Sequence, residues 1–131
     1  MRRFAIVLLV LATLLYSQDK KRKQPKPPDL TILSVQGHRQ ADHVTLDGRV
    51  KNTGLKPIEG LVLLIDFLGT DKQLLTTKKG PVESEMLQLG DEADFRLEVE
   101  SPPRSVSYQF NAEDSSGRDL RVENRGPFLI E

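Results

Sequence analysis

Residues 61–68 read Leu-Val-Leu-Leu-Ile-Asp-Phe-Leu, and seven of these eight side chains are apolar. A short run that is apolar throughout is typical of a β-strand in the middle of a sheet with both faces at least partly covered. Successive side chains of a strand point to opposite faces. The interior set is then Leu61, Leu63, Ile65 and Phe67. The outer set is Val62, Leu64 and Leu68, and the run predicts the centre of the fold.

From Asp29 onward, short apolar stretches are separated about every ten residues by glycine, asparagine, aspartate or proline. Apolar and polar residues alternate most clearly at 43–52, 94–100 and 106–112. In the last of these stretches, Val106, Tyr108, Phe110 and Ala112 are expected to face the core. Helical periodicity is nearly absent, so the pattern predicts an all-β domain of about seven strands. The expected strands cover 30–36, 43–52, 61–68, 73–79, 94–100, 106–112 and a stretch around 120–122. Residues 81–88 are expected to form one helical turn or to cross between sheets.

The first 28 residues have a different character. Met1-Arg2-Arg3 precedes an apolar run at 4–16, which resembles a secretory signal and is short for a membrane crossing. We therefore expect a helical signal peptide at 1–17, a basic proline-containing linker at 18–28 and a domain at 29–131. Four bases at 20–23 directly after the apolar run resist translocation. They support the alternative that residues 1–17 remain as an uncleaved membrane anchor.

Charge is divided unevenly along the chain. Residues 1–28 hold seven bases and one acid (7 − 1 = +6), and residues 29–131 hold 12 bases and 18 acids (12 − 18 = −6). An acidic domain repels the phosphate backbone, so we expect no nucleic-acid partner. The chain has no cysteine. Disulfide scaffolds, cysteine-ligated zinc and thiol catalysis are thereby excluded.

Two short motifs carry a family resemblance. Residues 50–58 read Val-Lys-Asn-Thr-Gly-Leu-Lys-Pro-Ile, and residues 87–95 read Leu-Gln-Leu-Gly-Asp-Glu-Ala-Asp-Phe. With the central strand, they resemble the FxLYD-type domains of bacterial envelope proteins over roughly residues 30–112, although Leu89 stands where that family usually has proline. The resemblance implies an immunoglobulin-like antiparallel β-sandwich that serves binding or assembly without catalysis. The first motif also predicts a turn after Asn52, because an asparagine side chain can bond the backbone of the turn that it begins. The resemblance supplies no functional residues.

Candidate metal ligands are few. His38 and His43 are the only histidines, and a turn expected at 39–42 could bring their rings together. With Met86 they would offer a soft site of the kind that suits copper. Acids in expected loops offer oxygen ligands for calcium: Asp91, Glu92, Asp94, Asp114 and Asp119. The simpler interpretation is that these are solvated loop residues, and on it we expect no metal and no cofactor.

Nothing in the sequence indicates an enzyme. A Gly-x-Ser-x-Gly nucleophile motif and a phosphate-cradling glycine loop are both missing. Acid–base catalysis needs two carboxylates in unlike environments. The acids of the expected strands, such as Glu98 and Glu100, alternate with core residues and so belong to a solvated face. We expect a non-catalytic protein.

The outer set Val62, Leu64 and Leu68 needs a cover. We expect that cover to be the apolar tail at 128–130, with a second copy of the chain as the alternative. The expected partner surface is therefore formed by Val62, Leu64, Leu68, Phe128 and Ile130. Taken together, these features of the sequence predict an exported module, periplasmic or extracellular. It is expected to contact an unidentified envelope protein by shape and edge-strand pairing. The alternatives are a copper- or calcium-binding envelope module and an accessory domain tethered to the membrane by its leader.

Overall fold

The computed structural model describes residues 27–83 and 86–131, and this part of the chain is all-β, without a helix. The expected helical leader and most of the linker lie outside the described residues. Six strands have seven or more residues and five have two, against about seven expected. The strands are β1 (Leu30–Gln40), β2 (His43–Asn52), β3 (Ile58–Glu59), β4 (Val62–Leu68), β5 (Leu74–Pro81), β6 (Met86–Leu87), β7 (Glu92–Glu100), β8 (Ser107–Glu113), β9 (Asp119–Leu120), β10 (Val122–Glu123) and β11 (Phe128–Leu129).

Two main sheets contain the long strands. The first sheet has the order β10-β1-β2-β7, and the second has the order β11-β8-β4-β5, with β9 also paired to β8. A separate two-stranded sheet joins β3 to β6. The run at 61–68 supplies β4, which lies between β8 and β5 as the sequence predicted. In the stretch at 81–88, Pro81 ends β5 and Met86–Leu87 form β6, which pairs with β3, so its described residues contain no helical turn.

The two sheets pack against each other around one core. β4 alternates between half-buried and buried side chains, and the expected interior set is at most 2% exposed. The first sheet contributes Ile32, Leu46 and Val50 to the same cluster. Across the interface, the rings of Phe95 and Phe110 meet edge to face with centroids 6.0 Å apart. Burial of these apolar side chains is the main force that holds the sheets together.

The end of β2 is fastened by Asn52, which is 1% exposed. Its side-chain Nδ2 donates to Lys56 O and Leu87 O, each at 2.9 Å, and its Oδ1 accepts from Gly54 N at 3.0 Å. The amide thus closes the turn that it begins and ties that turn to β6, which is the role that its place in the sequence motif suggested. We call this part of the domain the Asn52 end and the opposite part the His43 end.

The C-terminal segment closes one side of the domain by passing between the sheets. Leu120 pairs with Ala112 in the second sheet, whereas Val122 pairs with Leu30 in the first. The chain then returns to the second sheet as β11, and its last residue, Glu131, donates its backbone N–H to Gly37 O in the first sheet. The single strand expected around 120–122 is therefore two short strands, because the chain changes sheet at Arg121.

The other side of the domain is open. β7 pairs only with β2 and β5 only with β4, so in the described part of the chain each strand has one free edge. The two edges approach each other at Gly80, where a β-carbon would lie 2.5 Å from Leu97 Cδ1. The free edge of β5 carries Lys78, Lys79 and Pro81, and such residues discourage indiscriminate strand pairing.

Candidate functional site

An apolar row crosses the second sheet at the His43 end. The register places Leu74, Leu68, Ser107 and Leu129 side by side on four adjacent strands. Leu74 is 59% exposed and Leu129 is 74% exposed. Leu68 between them is 4% exposed yet lies outside the main core cluster. We call these four residues the outer row. Three of them are leucines on the face that points away from the core, and Ser107, which is 5% exposed, lies between Leu68 and Leu129.

Val62 and Leu64, which belong to the expected partner surface, lie on this outer face and are half-buried. Val62 lies between Pro81 and Glu113 in the sheet. Leu64 lies between Lys79 and Asn111 in the sheet, and Lys79 Nζ lies 3.5 Å from Glu113 Oε2. Val62 and Leu64 are thus partly shielded by neighbouring side chains of their own sheet. Among the described residues of this face, only the outer row at Leu68 continues into strongly exposed apolar side chains.

Asp66 divides these two parts of the outer face. Its carboxylate accepts hydrogen bonds from Thr77 Oγ1 at 2.7 Å and from Asn111 Nδ2 at 3.1 Å. Gln109 Nε2 lies 3.5 Å from the same carboxylate. An acid with several partners in its own sheet is a structural anchor for β5, β4 and β8. The one polar residue in the run at 61–68 therefore has a structural explanation.

The tail does not cover the outer face, contrary to the expectation from the sequence. Phe128 and Ile130 are half-buried and pack against the main core. The ring of Phe128 lies 5.6 Å from that of Tyr108 and 6.0 Å from that of Phe110. Since β11 extends the sheet beside β8, Phe128 and Ile130 point inward and Leu129 points outward. The expected partner surface is therefore divided between two faces, and the exposed residue of the tail, Leu129, was not one of its expected members.

The expected metal site is also divided. His38 and His43 lie on neighbouring strands at the His43 end, since His38 pairs with Thr45 and His43 with Gln40. Met86 lies on β6, which is tied through Leu87 to Asn52 at the opposite end of β2. Its sulfur accepts a hydrogen bond from Gln88 Nε2 at 3.2 Å. The structure therefore brings the two histidines together and separates Met86 from them.

The loop acids have partners within the protein. Asp91 Oδ2 accepts from Gln88 N at 2.9 Å, and Glu92 and Asp94 both bind Arg49 at 2.9 Å. Hydrogen bonds from Ser116 and Arg118 lower the pKa of Asp114 to about 2. Asp119 is exposed on β9. Within residues 27–83 and 86–131, no three His, Asp or Glu side chains are arranged to hold a metal ion.

Tyr108 is a buried polar residue that the sequence placed correctly in the core. Its ring is fully buried, and its hydroxyl has no hydrogen-bond partner among the residues that the structure describes. Burial, with a smaller contribution from the charge of Glu131, raises the pKa of Tyr108 to about 12. A β-carbon at Gly37 would lie 2.9 Å from this hydroxyl, so the absence of a side chain at Gly37 makes room for it.

The surface cavities of the described residues are shallow clefts. A cleft of about 290 Å³ lies near the start of the domain and is lined by Pro27, Leu55 and three bases, Lys56, Arg118 and Arg121, together with Asp29 and Asp119. Two smaller clefts flank the contact of Gly80 with Leu97 on the open side. No helix within the described ranges has the length and apolar character needed to cross a membrane.

No family model matches the chain, and a search of curated proteins finds no match. Among solved structures, the chain is similar to IrmA from Escherichia coli, with 16% identity, a TM-score of 0.45, and 82% of this chain and 99% of that chain covered. It is similar to an apo β-glucuronidase from Ruminococcus gnavus, with 16% identity and a TM-score of 0.39 over 79% of this chain, and it spans 16% of that enzyme. A Bordetella pertussis protein assigned as ApaA is 16% identical with a TM-score of 0.37, and the match covers 79% of this chain and 100% of that chain. The candidate site is therefore interpreted from its own residues.

Proposed function

We propose that this protein is an exported, non-catalytic binding module of the bacterial envelope. Its partner surface is the outer row, with the adjacent free edge of β5. The observation that carries the proposal is the exposure of Leu74 and Leu129, at 59% and 74%, in register on either side of Leu68 and Ser107. Large exposed apolar side chains grouped on one sheet face are characteristic of protein-contact sites.

The order of the strands supports an immunoglobulin-like sandwich as the scaffold. In immunoglobulin notation, β1-β2-β7 correspond to strands A-B-E, and β11-β8-β4-β5 correspond to G-F-C-C′. The turn fastened by Asn52 is compatible with the FxLYD-type resemblance. Domains with this architecture frequently act by presenting a face or an edge to another protein.

The positions of the polar residues are consistent with a protein that does not catalyse a reaction. Ser101 and Ser105 are two of the buried serines at the His43 end, and both hydroxyls accept hydrogen bonds from Arg39, at 3.1 and 2.9 Å. His43 instead lies 2.7 Å from Asp42. A serine nucleophile needs a histidine base in hydrogen-bond contact, and these serines are committed to a structural arginine.

Export is proposed from the sequence of residues 1–17. The mass of the protein recovered from the envelope of a producing bacterium tests it. Loss of a segment near residue 17 is the expected result. An intact N-terminus in the membrane fraction would instead favour the tethered accessory domain, and an intact protein in the cytoplasm would contradict export.

The partner surface is tested by site-specific cross-linking, which the absence of cysteine makes clean. Leu129→Cys would carry a photoactivatable cross-linker on the outer row, and Gln36→Cys would carry it on the exposed face of the first sheet as a matched control. We expect a discrete cross-linked product from Leu129→Cys in native envelopes and none from Gln36→Cys.

A second substitution makes the result specific to the outer row. Leu74→Asp places a charge in the row without touching the labelled position, and it should abolish the product from Leu129→Cys. Equal products from both labelled positions, or a product that persists with Leu74→Asp, would count against this surface. Products of twice the mass of the chain would identify the partner as a second copy.

A further inference from the structure

The β1–β2 hairpin places two histidines on one face of the first sheet. Residues 41–42 form the turn, and the register pairs His38 with Thr45 and Gln40 with His43. His38 and His43 are therefore diagonal neighbours on adjacent strands. Both are exposed, and they lie on the outer face because Val44 and Leu46 face the core. Diagonal neighbours in an antiparallel pair are separated by about 7–8 Å, a span that two imidazole rings can bridge through one metal ion.

Asp42 lies beside one of these rings. Its Oδ1 is 2.7 Å from His43 Nδ1, so Nδ1 faces the carboxylate and Nε2 is the nitrogen on the other side of the ring. A carboxylate at the far nitrogen of a histidine is the usual second partner of a metal-ligating ring. The site expected from the sequence joined the histidines to Met86 and did not include Asp42, because the contact depends on the two-residue turn.

Carboxylates surround the pair on the neighbouring strand. Glu100 lies directly across from His43 on β7, and Glu98 lies across from Thr45. With Asp42, these side chains give the outer face around the histidines three negative charges. Such a field attracts a divalent cation to the rings, although the carboxylates do not converge with the rings into a group of three ligands.

We propose that His38 and His43 form a two-histidine binding site for a borderline divalent transition metal, with Cu²⁺ as the tightest-binding ion. The two imidazoles supply the protein ligands, water completes the coordination, and Met86 takes no part. Imidazole suits Cu²⁺ and Zn²⁺, and the general order of affinity favours Cu²⁺. The site is independent of the proposed partner surface, since it lies on the other sheet.

The test is a titration of the untagged, full-length chain with CuCl₂ at pH 7.5, followed by calorimetry and electron paramagnetic resonance. The chain has no cysteine that could reduce the ion. We expect one site with nitrogen hyperfine structure from two imidazoles. His38→Ala and His43→Ala should each remove it. Asp42→Ala should weaken it by about 10-fold, at the low end for an orienting carboxylate because this one is exposed.

Met86→Leu is the matched control and should bind Cu²⁺ as tightly as the unaltered chain. The double variant His38→Ala/His43→Ala measures adventitious binding elsewhere on the chain. A titration without heat, binding that survives in the double variant, or a signal from a single nitrogen would overturn the proposal. Because the altered side chains are all exposed, the circular-dichroism spectrum of each variant should be unchanged. This measurement separates lost binding from lost folding.

Discussion

Gly80 on β5 faces Leu97 on β7 at the open side of the domain, where a β-carbon at Gly80 would lie 2.5 Å from Leu97 Cδ1. Gly80→Ala should therefore destabilise the domain by about 1–3 kcal/mol through overpacking. Chemical denaturation measures the change. The same substitution in a Leu97→Ala background should cost less, because the space is then free. Equal costs in both backgrounds would show that this contact does not set the distance between the sheets.

Asn52 should be among the most sensitive polar positions of the domain. Asn52→Ala leaves Lys56 O and Leu87 O without their donor, and we expect a loss of about 2–4 kcal/mol in the free energy of unfolding. Asn52→Asp removes the same donor while keeping the shape, so it should be similarly harmful. Asn111→Ala, which removes an amide on the outer face, serves as the control and should cost less. A loss below about 0.5 kcal/mol for both Asn52 variants would contradict the role assigned to this amide.

Tyr108→Phe tests the unpartnered hydroxyl. Removing a buried polar atom without a partner should leave stability at pH 7 unchanged or raise it by about 1 kcal/mol. A loss of more than about 1 kcal/mol would show that the hydroxyl is hydrogen-bonded in solution, for instance to a buried water molecule.

The same tyrosine predicts a pH dependence. Its pKa is about 12 in the folded state, above the ordinary value of 10.0, because burial disfavours the phenolate. Between these values the folded chain keeps a proton that the unfolded chain has lost. The contribution of Tyr108 to the free energy of unfolding is therefore fully present below pH 10 and is lost as the pH rises toward 12. The slope is at most about 1.4 kcal/mol per pH unit. Denaturation curves of Tyr108→Phe across this range should lack that contribution.

Substitutions at two neighbouring residues of the tail should differ in their effect on stability. Phe128→Ala removes a ring that packs on Tyr108 and Phe110, and it should cost about 2–3 kcal/mol of stability. Leu129→Asp changes a side chain that is 74% exposed, and it should change stability by less than about 0.5 kcal/mol. Thermal denaturation compares them. Similar losses for the two variants would contradict the inward and outward assignments.

Deletion of residues 126–131 gives a further check on the same assignment. The sequence alone suggested that this deletion would uncover Val62, Leu64 and Leu68. In the structure it uncovers Tyr108 and Phe110 instead, so a dye that binds apolar surface should report an opened core together with a lower melting temperature. The single substitution Leu129→Asp should produce neither effect.

The sequence by itself determined the parts of the fold that depend on local alternation. The β2 strand was predicted at its observed bounds, His43–Asn52, and the interior set of β4 was identified, because the period of two assigns side chains to faces without knowledge of the partner strands. The turn at Asn52 followed from the local chemistry of an asparagine before glycine. The same reasoning placed Val106 inward, yet it is 39% exposed, because β8 begins only at Ser107, beyond the turn at Pro102–Ser105.

Only the tertiary structure decided which faces meet. The change of sheet at Arg121, the insertion of Phe128 beside Tyr108 and the separation of Met86 from the two histidines all depend on contacts between residues far apart in sequence. The outer row also required the register, since an irregularity between Phe67 and Leu68 sets Leu68 opposite Leu74. A one-residue shift in pairing moves a side chain to the other face of a sheet, and no local pattern fixes that shift.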